Sequence, residues 1–183
     1  CWDEREVAWH WTLEKGRERS VCMLPEWNRG NPRSGRFSIQ VSVYDYRDPE
    51  KMLRMAREVH ACGPNMQVKI PCTRAGIWTM EEATYEGISV MATLVYSLDQ
   101  AIAAAEAIER GLARRQREGK DNSGLNPVCA VLLGMQEDWL KSYADANNIV
   151  LDPDAFLYAG EAVCKQVYRV FRQRKIQTRV LVA

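Results

Sequence analysis

The sequence predicts an α/β fold built on a parallel sheet. From residue 36 onward, short β-rich runs alternate with longer stretches of helical periodicity. The strand runs are apolar almost throughout, as strands covered on both faces are. Several of the helical stretches open on a capping residue and close on glycine. This alternation suits an open doubly wound sheet or a (β/α)8 barrel. No glycine-rich phosphate loop follows any strand, so the strongest mark of a nucleotide-binding doubly wound fold is missing.

Residues 1–35 stand apart as a tryptophan-rich segment, helical or irregular, ahead of the alternating region 36–183. The segment holds Trp2, Trp9, Trp11 and Trp27. "DEREVAWHWTLEKG" reads as a helix ending at Gly16, and "PEWNRGNPRSG" as turns. "RFSIQVSVY" (36–44) is the first strand, rich in β-branched and aromatic residues. Asp48 caps the helix after it and Pro49 occupies its first position. Met52, Met55, Ala56 and Val59 share one face of that helix, and Gly63-Pro64 stops it.

"MQVKIP" is the second strand, and a helix from about Arg74 to Glu86 closes on Gly87. "ISVMATLVY" (88–96) is the third strand. Ser97 and Gln100 then form a capping-box signature before "AIAAAEAIERGL". "ARRQREGKDNSGLN" reads as a charged, solvated loop. "PVCAVLLG" is the fourth strand and "EDWLKSYADANN" a short helix. Asp152-Pro153 opens a long amphipathic helix with Phe156, Gly160, Val163, Val167 and Phe171 at helical spacing. "TRVLVA" is the fifth strand.

With 183 residues the chain suits one domain with a sizeable core. A net charge of +1 gives no field that would recommend nucleic acid or an anionic membrane. No apolar run approaches a bilayer span, and no secretory leader is evident. The six cysteines are scattered without a C-x-x-C pair and several fall at apolar positions, which points to a reducing compartment. His10 and His60 have no second good ligand nearby in sequence, so metal chemistry is not expected. The chain opens at Cys1 rather than methionine, as a processed product or a piece of something longer does.

Lys69 is the anomaly. It interrupts an apolar strand, where burying an ammonium is costly. Either it lies at the strand's end with its head in water, or it is present for its chemistry. In a barrel strand Lys69 faces the axis while Val68 and Ile70 face the helices. Desolvation there lowers a lysine's pKa and yields an amine able to attack a carbonyl and form a Schiff base.

The stretch from "VKIPCT" through "GISVMATL" and "YS" to the alanine-rich helix closely resembles the transaldolase family. Lys69 and Thr73 match the family's V-K-I-P-x-T strand. Gly87, Ile88, Val90, Thr93 and Leu94 match its G-I-S/N-V-N-x-T-L strand, and Ser97 its F-S step. The likeness extends over roughly residues 36–183. It implies a (β/α)8 TIM barrel, of which this chain carries about five strands. It also implies transfer of a dihydroxyacetone unit between sugar phosphates in the pentose phosphate pathway, through a lysine Schiff base. No metal or organic cofactor is implied, because the protonated imine is itself the electron sink.

Carried over residue by residue, the resemblance makes Lys69 the nucleophile and Thr93 the holder of a catalytic water. Gln40 stands where many members have a proton-transferring glutamate. Met91 replaces an asparagine that bonds a substrate hydroxyl, and Ala130 a serine near the phosphate. Met135 replaces a phosphate-binding arginine, removing a bidentate charged contact. The family's acid-base aspartate lies on the first barrel strand, and Asp3 sits in nothing strand-like. The partners expected are a sugar phosphate if the protein is active, and a protein or further chain segment covering the incomplete barrel. Nucleic acid and membrane are not expected. The compartment expected is the cytoplasm or a plastid-like organelle. Three functions fit: an ordinary transaldolase, a Schiff-base aldolase of altered substrate, or an impaired homologue kept as a structural or interaction subunit.

Overall fold

The computed structural model describes residues 2–31 and 33–183, with the side chain of Pro153 left aside. The first helix, α1, spans Glu4–Trp27. Asp3 caps it in a full capping box: its carboxylate accepts from Glu6 N, and Glu6 accepts from Asp3 N. The helix does not end at Gly16 as expected. A Cβ there would meet Ile39 Cδ1 at 2.4 Å, so this glycine lets α1 lie close against the sheet rather than stopping it.

The chain then alternates β1 (Phe37–Gln40), α2 (Pro49–His60), β2 (Met66–Pro71), α3 (Arg74–Tyr85), β3 (Val90–Val95), α4 (Leu98–Arg117), β4 (Val128–Val131), α5 (Gly134–Ala146), α6 (Pro153–Gln173) and β5 (Arg179–Val182). The strands lie in the order β1-β2-β3-β4-β5, and each adjacent pair is parallel. A doubly wound sheet reverses its strand order at a switch point. Here sequence order and spatial order coincide throughout, which makes the sheet a five-stranded arc of a (β/α) barrel.

The strand expected over 36–44 is shorter. It ends at Gln40, and residues Val43–Asp45 form a 3-10 turn whose capping Ser42 hydroxyl accepts from Tyr44 N. The charged stretch expected as a solvated loop begins as helix, because α4 runs on to Arg117. Arg114 pairs with Glu81 and Glu82 of α3 and lies 4.0 Å over the Tyr85 ring. Arg115 donates to Tyr85 O, Asp121 O and Asn122 Oδ1. Those contacts offset the solvation that a run of arginines otherwise seeks.

Burial separates the two sheet faces. Ile39, Val68, Ile70, Val90, Ala92 and Val131 pack with Met52, Val59, Met80, Ile108 and Phe171 in one core beneath the helices. Each such aliphatic contributes roughly 1.5–3 kcal/mol when fully buried. Alternate positions (Ser38, Gln40, Gln67, Lys69, Met91, Thr93) therefore fall on the concave face, by the two-residue period of a strand. The tryptophans of α1 divide: Trp9 packs on the core and donates to Glu58, while Trp2 and Trp11 are exposed. Trp27 lies beneath the Arg36 guanidinium at 4.5 Å.

Cys62, Cys72, Cys129 and Cys164 are buried free thiols and Cys22 is an exposed one; Cys1 lies outside the described residues. Among the described residues no helix is long and apolar enough to cross a membrane.

Candidate active site

The register sets five concave-face residues in one row. Gln40 pairs with Lys69, Lys69 with Met91, Met91 with Val128, and Val128 with Arg179. Lys69 is held there because Val68 and Ile70, on either side of it, are wholly buried under the helices. Its own side chain is half-buried. Among the described residues the Lys69 ammonium makes no ion pair or hydrogen bond, so no carboxylate neutralises it from within the sheet.

Thr93 is one pair further along β3, opposite Pro71, and is 3% exposed. Its backbone carbonyl accepts from Cys72 N at 2.8 Å, and among the described residues its hydroxyl makes no hydrogen bond. Gln40 lines a cavity of about 670 Å³ between β1 and α1, together with Trp9, Thr12 and Tyr44. Ala130 is buried in β4. Met135 stands away from this row, in the first turn of α5, and is 58% exposed. Asp3 is outside the site, engaged as the cap of α1.

Three side chains that the sequence reading did not single out for this purpose tie the loops at this end of the strands. Thr73 caps α3 through Gly76 N and donates to Tyr46 O at 2.9 Å, linking the loops after β1 and β2. Gly76 is obligatory in that cap, since a Cβ there would meet Pro71 O at 1.8 Å. Of the capping box expected from Ser97 and Gln100, only the Ser97 half is made. The Gln100 amide instead accepts from Tyr96 N at 2.9 Å and donates to the carbonyls of Cys72 and Leu94. It thereby joins the ends of β2 and β3. Gln136 donates to Tyr96 O and brings in α5.

Leu94 adopts φ 56°, at a register shift between Ala92 and Val95. A non-glycine residue there costs on the order of 1–3 kcal/mol and marks a position held by its surroundings. Sequence gave no sign of it, because leucine is an ordinary strand residue.

A family model described as transaldolase/fructose-6-phosphate aldolase matches residues 3–183. The chain belongs to this family. A transaldolase of Mycobacterium bovis (strain BCG Pasteur) is 26% identical over 159 residues, covering 85% of this chain and 43% of that protein. Transaldolase 1 of Streptomyces avermitilis is 33% identical over 116 residues, covering 62% of this chain and 31% of that protein. The chain thus spans less than half the length of these relatives.

Against the transaldolase pattern, the changes fall on both sides of the lysine. Met91 adjoins Lys69 in register and offers only a thioether. Met135 Sδ accepts a weak hydrogen bond from Tyr96 Oη at 3.5 Å and carries no charge. Burial pushes the Cys72 thiol up to about 11, so beside this site it is a neutral packing group. Among the described residues no three His, Cys, Asp or Glu side chains gather to hold a metal ion.

Proposed function

We propose that Lys69 forms a Schiff base with the carbonyl of a ketose, and that the protein transfers the resulting dihydroxyacetone unit with weakened recognition of phosphate. One observation carries this reading. Lys69 is the half-buried, ion-pair-free amine on the concave face, with Gln40 and Met91 beside it in register and the Thr93 hydroxyl one pair away. The neutral amine adds to the carbonyl carbon, and loss of water leaves the protonated imine. That imine accepts the electron pair when the bond between its α and β carbons breaks and a base takes the β-hydroxyl proton, releasing an aldehyde and leaving an enamine. The bound enamine then adds to an acceptor aldehyde, and water returns to free the lysine.

Thr93 and Gln40 are suited to hold that water by hydrogen bonds; neither exchanges a proton at neutral pH. A sugar phosphate of the pentose phosphate pathway is the substrate class that the family name suggests. The exposed thioether of Met135 supports a shift toward unphosphorylated ketoses.

The test is borohydride trapping on the full-length protein with dihydroxyacetone and with fructose 6-phosphate, followed by peptide mass analysis. The expected result is a reduced adduct on the peptide bearing Lys69, absent from Lys69→Ala. A folded protein with no adduct from either compound overturns this reading. The exposed Trp2 and Trp11 would then favour the second one, a family member retained as a subunit that docks through those rings.

A further inference from the structure

The irregularity in β3 falls beside Thr93. From Ala92 to Val95 the chain takes three steps, while its partners on β4, Cys129 and Val131, are two apart. One residue of β3 is therefore extra, which is a β-bulge. Ala92 and Val95 are both wholly buried in the core, although residues three apart in a regular strand face opposite ways. Leu94, at φ 56°, absorbs the difference, and Thr93 is left on the concave face at 3% exposure. The chain is held on both sides of the bulge. Before it, Thr93 O accepts from Cys72 N at 2.8 Å. After it, Gln100 Oε1 accepts from Tyr96 N at 2.9 Å, while Gln100 Nε2 donates to Leu94 O at 3.4 Å and to Cys72 O at 3.5 Å. The Cys72 thiol donates in turn to Gln100 O. One residue thus grips both the exit of the bulge and the chain just beyond the strand that carries Lys69.

A non-glycine residue at positive φ persists only where its surroundings hold it there. Among the described residues Gln100 is the only one whose side chain bonds the Leu94 backbone. Helix capping does not account for this. A capping glutamine bonds the backbone N–H of the N-cap, here Ser97, whereas Gln100 bonds Tyr96 N and reaches back to Leu94 and Cys72. We propose that Gln100 is a positioning residue. Its amide holds the Leu94 bulge, and the bulge fixes where the Thr93 hydroxyl stands relative to Lys69, one inward-facing pair away. The role rests on the Schiff-base reading of Lys69, because Thr93 serves there to hold the water that leaves as the imine forms and returns to hydrolyse it. Gln100 touches neither substrate nor lysine and acts through Thr93.

The test follows two readouts in the full-length protein: the rate of borohydride trapping at Lys69 with dihydroxyacetone, and the Thr93 methyl signal in carbon-13 spectra. Gln100→Met keeps the length of the side chain and removes its amide. Trapping is expected to slow by about tenfold or more, the scale on which small misplacements near a reacting centre act. Glycine takes positive φ at no steric cost, so adding Leu94→Gly to Gln100→Met is expected to recover most of the rate. In a Thr93→Val background, Gln100→Met is expected to change the rate no further. A wild-type rate in Gln100→Met, a loss that Leu94→Gly does not recover, or a full second loss on top of Thr93→Val overturns the proposal. A role in stability alone lowers the melting point and gives neither the rescue nor the dependence on Thr93. The methyl signal is expected to shift in Gln100→Met and to return with Leu94→Gly, and it needs no imine. Absence of adduct in the wild type therefore defeats the Schiff-base reading, whereas an unmoved Thr93 signal in Gln100→Met defeats the positioning role. If Gln100→Met does not fold, Gln100→Glu carries the same comparisons, since it keeps the acceptor for Tyr96 N and loses the donor.

Discussion

At the ends of β2 and β3, Thr73, Gln100 and Gln136 stitch successive loops together over buried strands. At the end of β4 the corresponding surface is open: Met135 and Trp139 are 58% and 64% exposed, and Trp139 stacks on Tyr143 at 5.0 Å. The two regions share one sheet and one helix layer, yet they differ in how firmly their chemistry is held. The lysine-bearing wall has a rigid support and keeps Lys69 and Thr93, although its register neighbours Gln40 and Met91 depart from the family pattern. The β4–α5 end, where that pattern calls for phosphate contacts, offers a thioether and aromatic rings. Under the proposed function, substrate recognition weakens at one end while the frame of the nucleophile persists.

The largest expected effect lies in the first region. Lys69→Ala removes the only group proposed to bond covalently, so turnover falls by about 10³ or more, measured under saturating ketose. Gly76→Ala forces a methyl onto Pro71 O and lowers stability by about 3 kcal/mol in denaturant unfolding, with loss of adduct formation in parallel. Gln100→Ala frees Tyr96 N and unties β2 from β3, costing about 1–2 kcal/mol. A near-zero cost there would remove the contrast in rigidity.

In the second region, Met135→Arg sharpens the comparison. Adding a charge-assisted donor lowers the KM for fructose 6-phosphate about tenfold, close to 1.4 kcal/mol, and leaves dihydroxyacetone unaffected.

The smallest effect concerns the helix layer common to both. The Arg57 guanidinium holds the Glu86 carboxyl below the usual glutamate range by a bidentate hydrogen bond. A carboxylate depressed in the folded state stabilises above its unfolded pKa, and that stability is lost as pH falls below about 4.3. Both side chains are partly exposed, so the contribution is under about 1 kcal/mol. Arg57→Met should flatten the acid limb of the stability curve by that amount.

Much of this arrangement is legible in the sequence. "MQVKIP" matches β2 residue for residue, and strand alternation alone assigns Val68 and Ile70 to the core and Lys69 to the concave face. What sequence could not give is contact between distant residues. Gly16 resembles a helix stop, and only the position of Ile39 makes it a packing contact. Gln100 carries a local capping signature, yet its amide is recruited by Cys72 from the neighbouring strand. The bulge at Leu94 depends on sheet register, and no local pattern encodes it.

The central claim is that imine chemistry outlasts phosphate recognition. The direct measurement is the rate of borohydride trapping at Lys69 in the full-length protein, with fructose 6-phosphate against fructose at equal concentration. The account predicts rates within about tenfold of each other, since 1.4 kcal/mol is the scale of the contact that Met135 fails to make. Trapping that needs the phosphate, with fructose slower by a factor of about 10³, would contradict it.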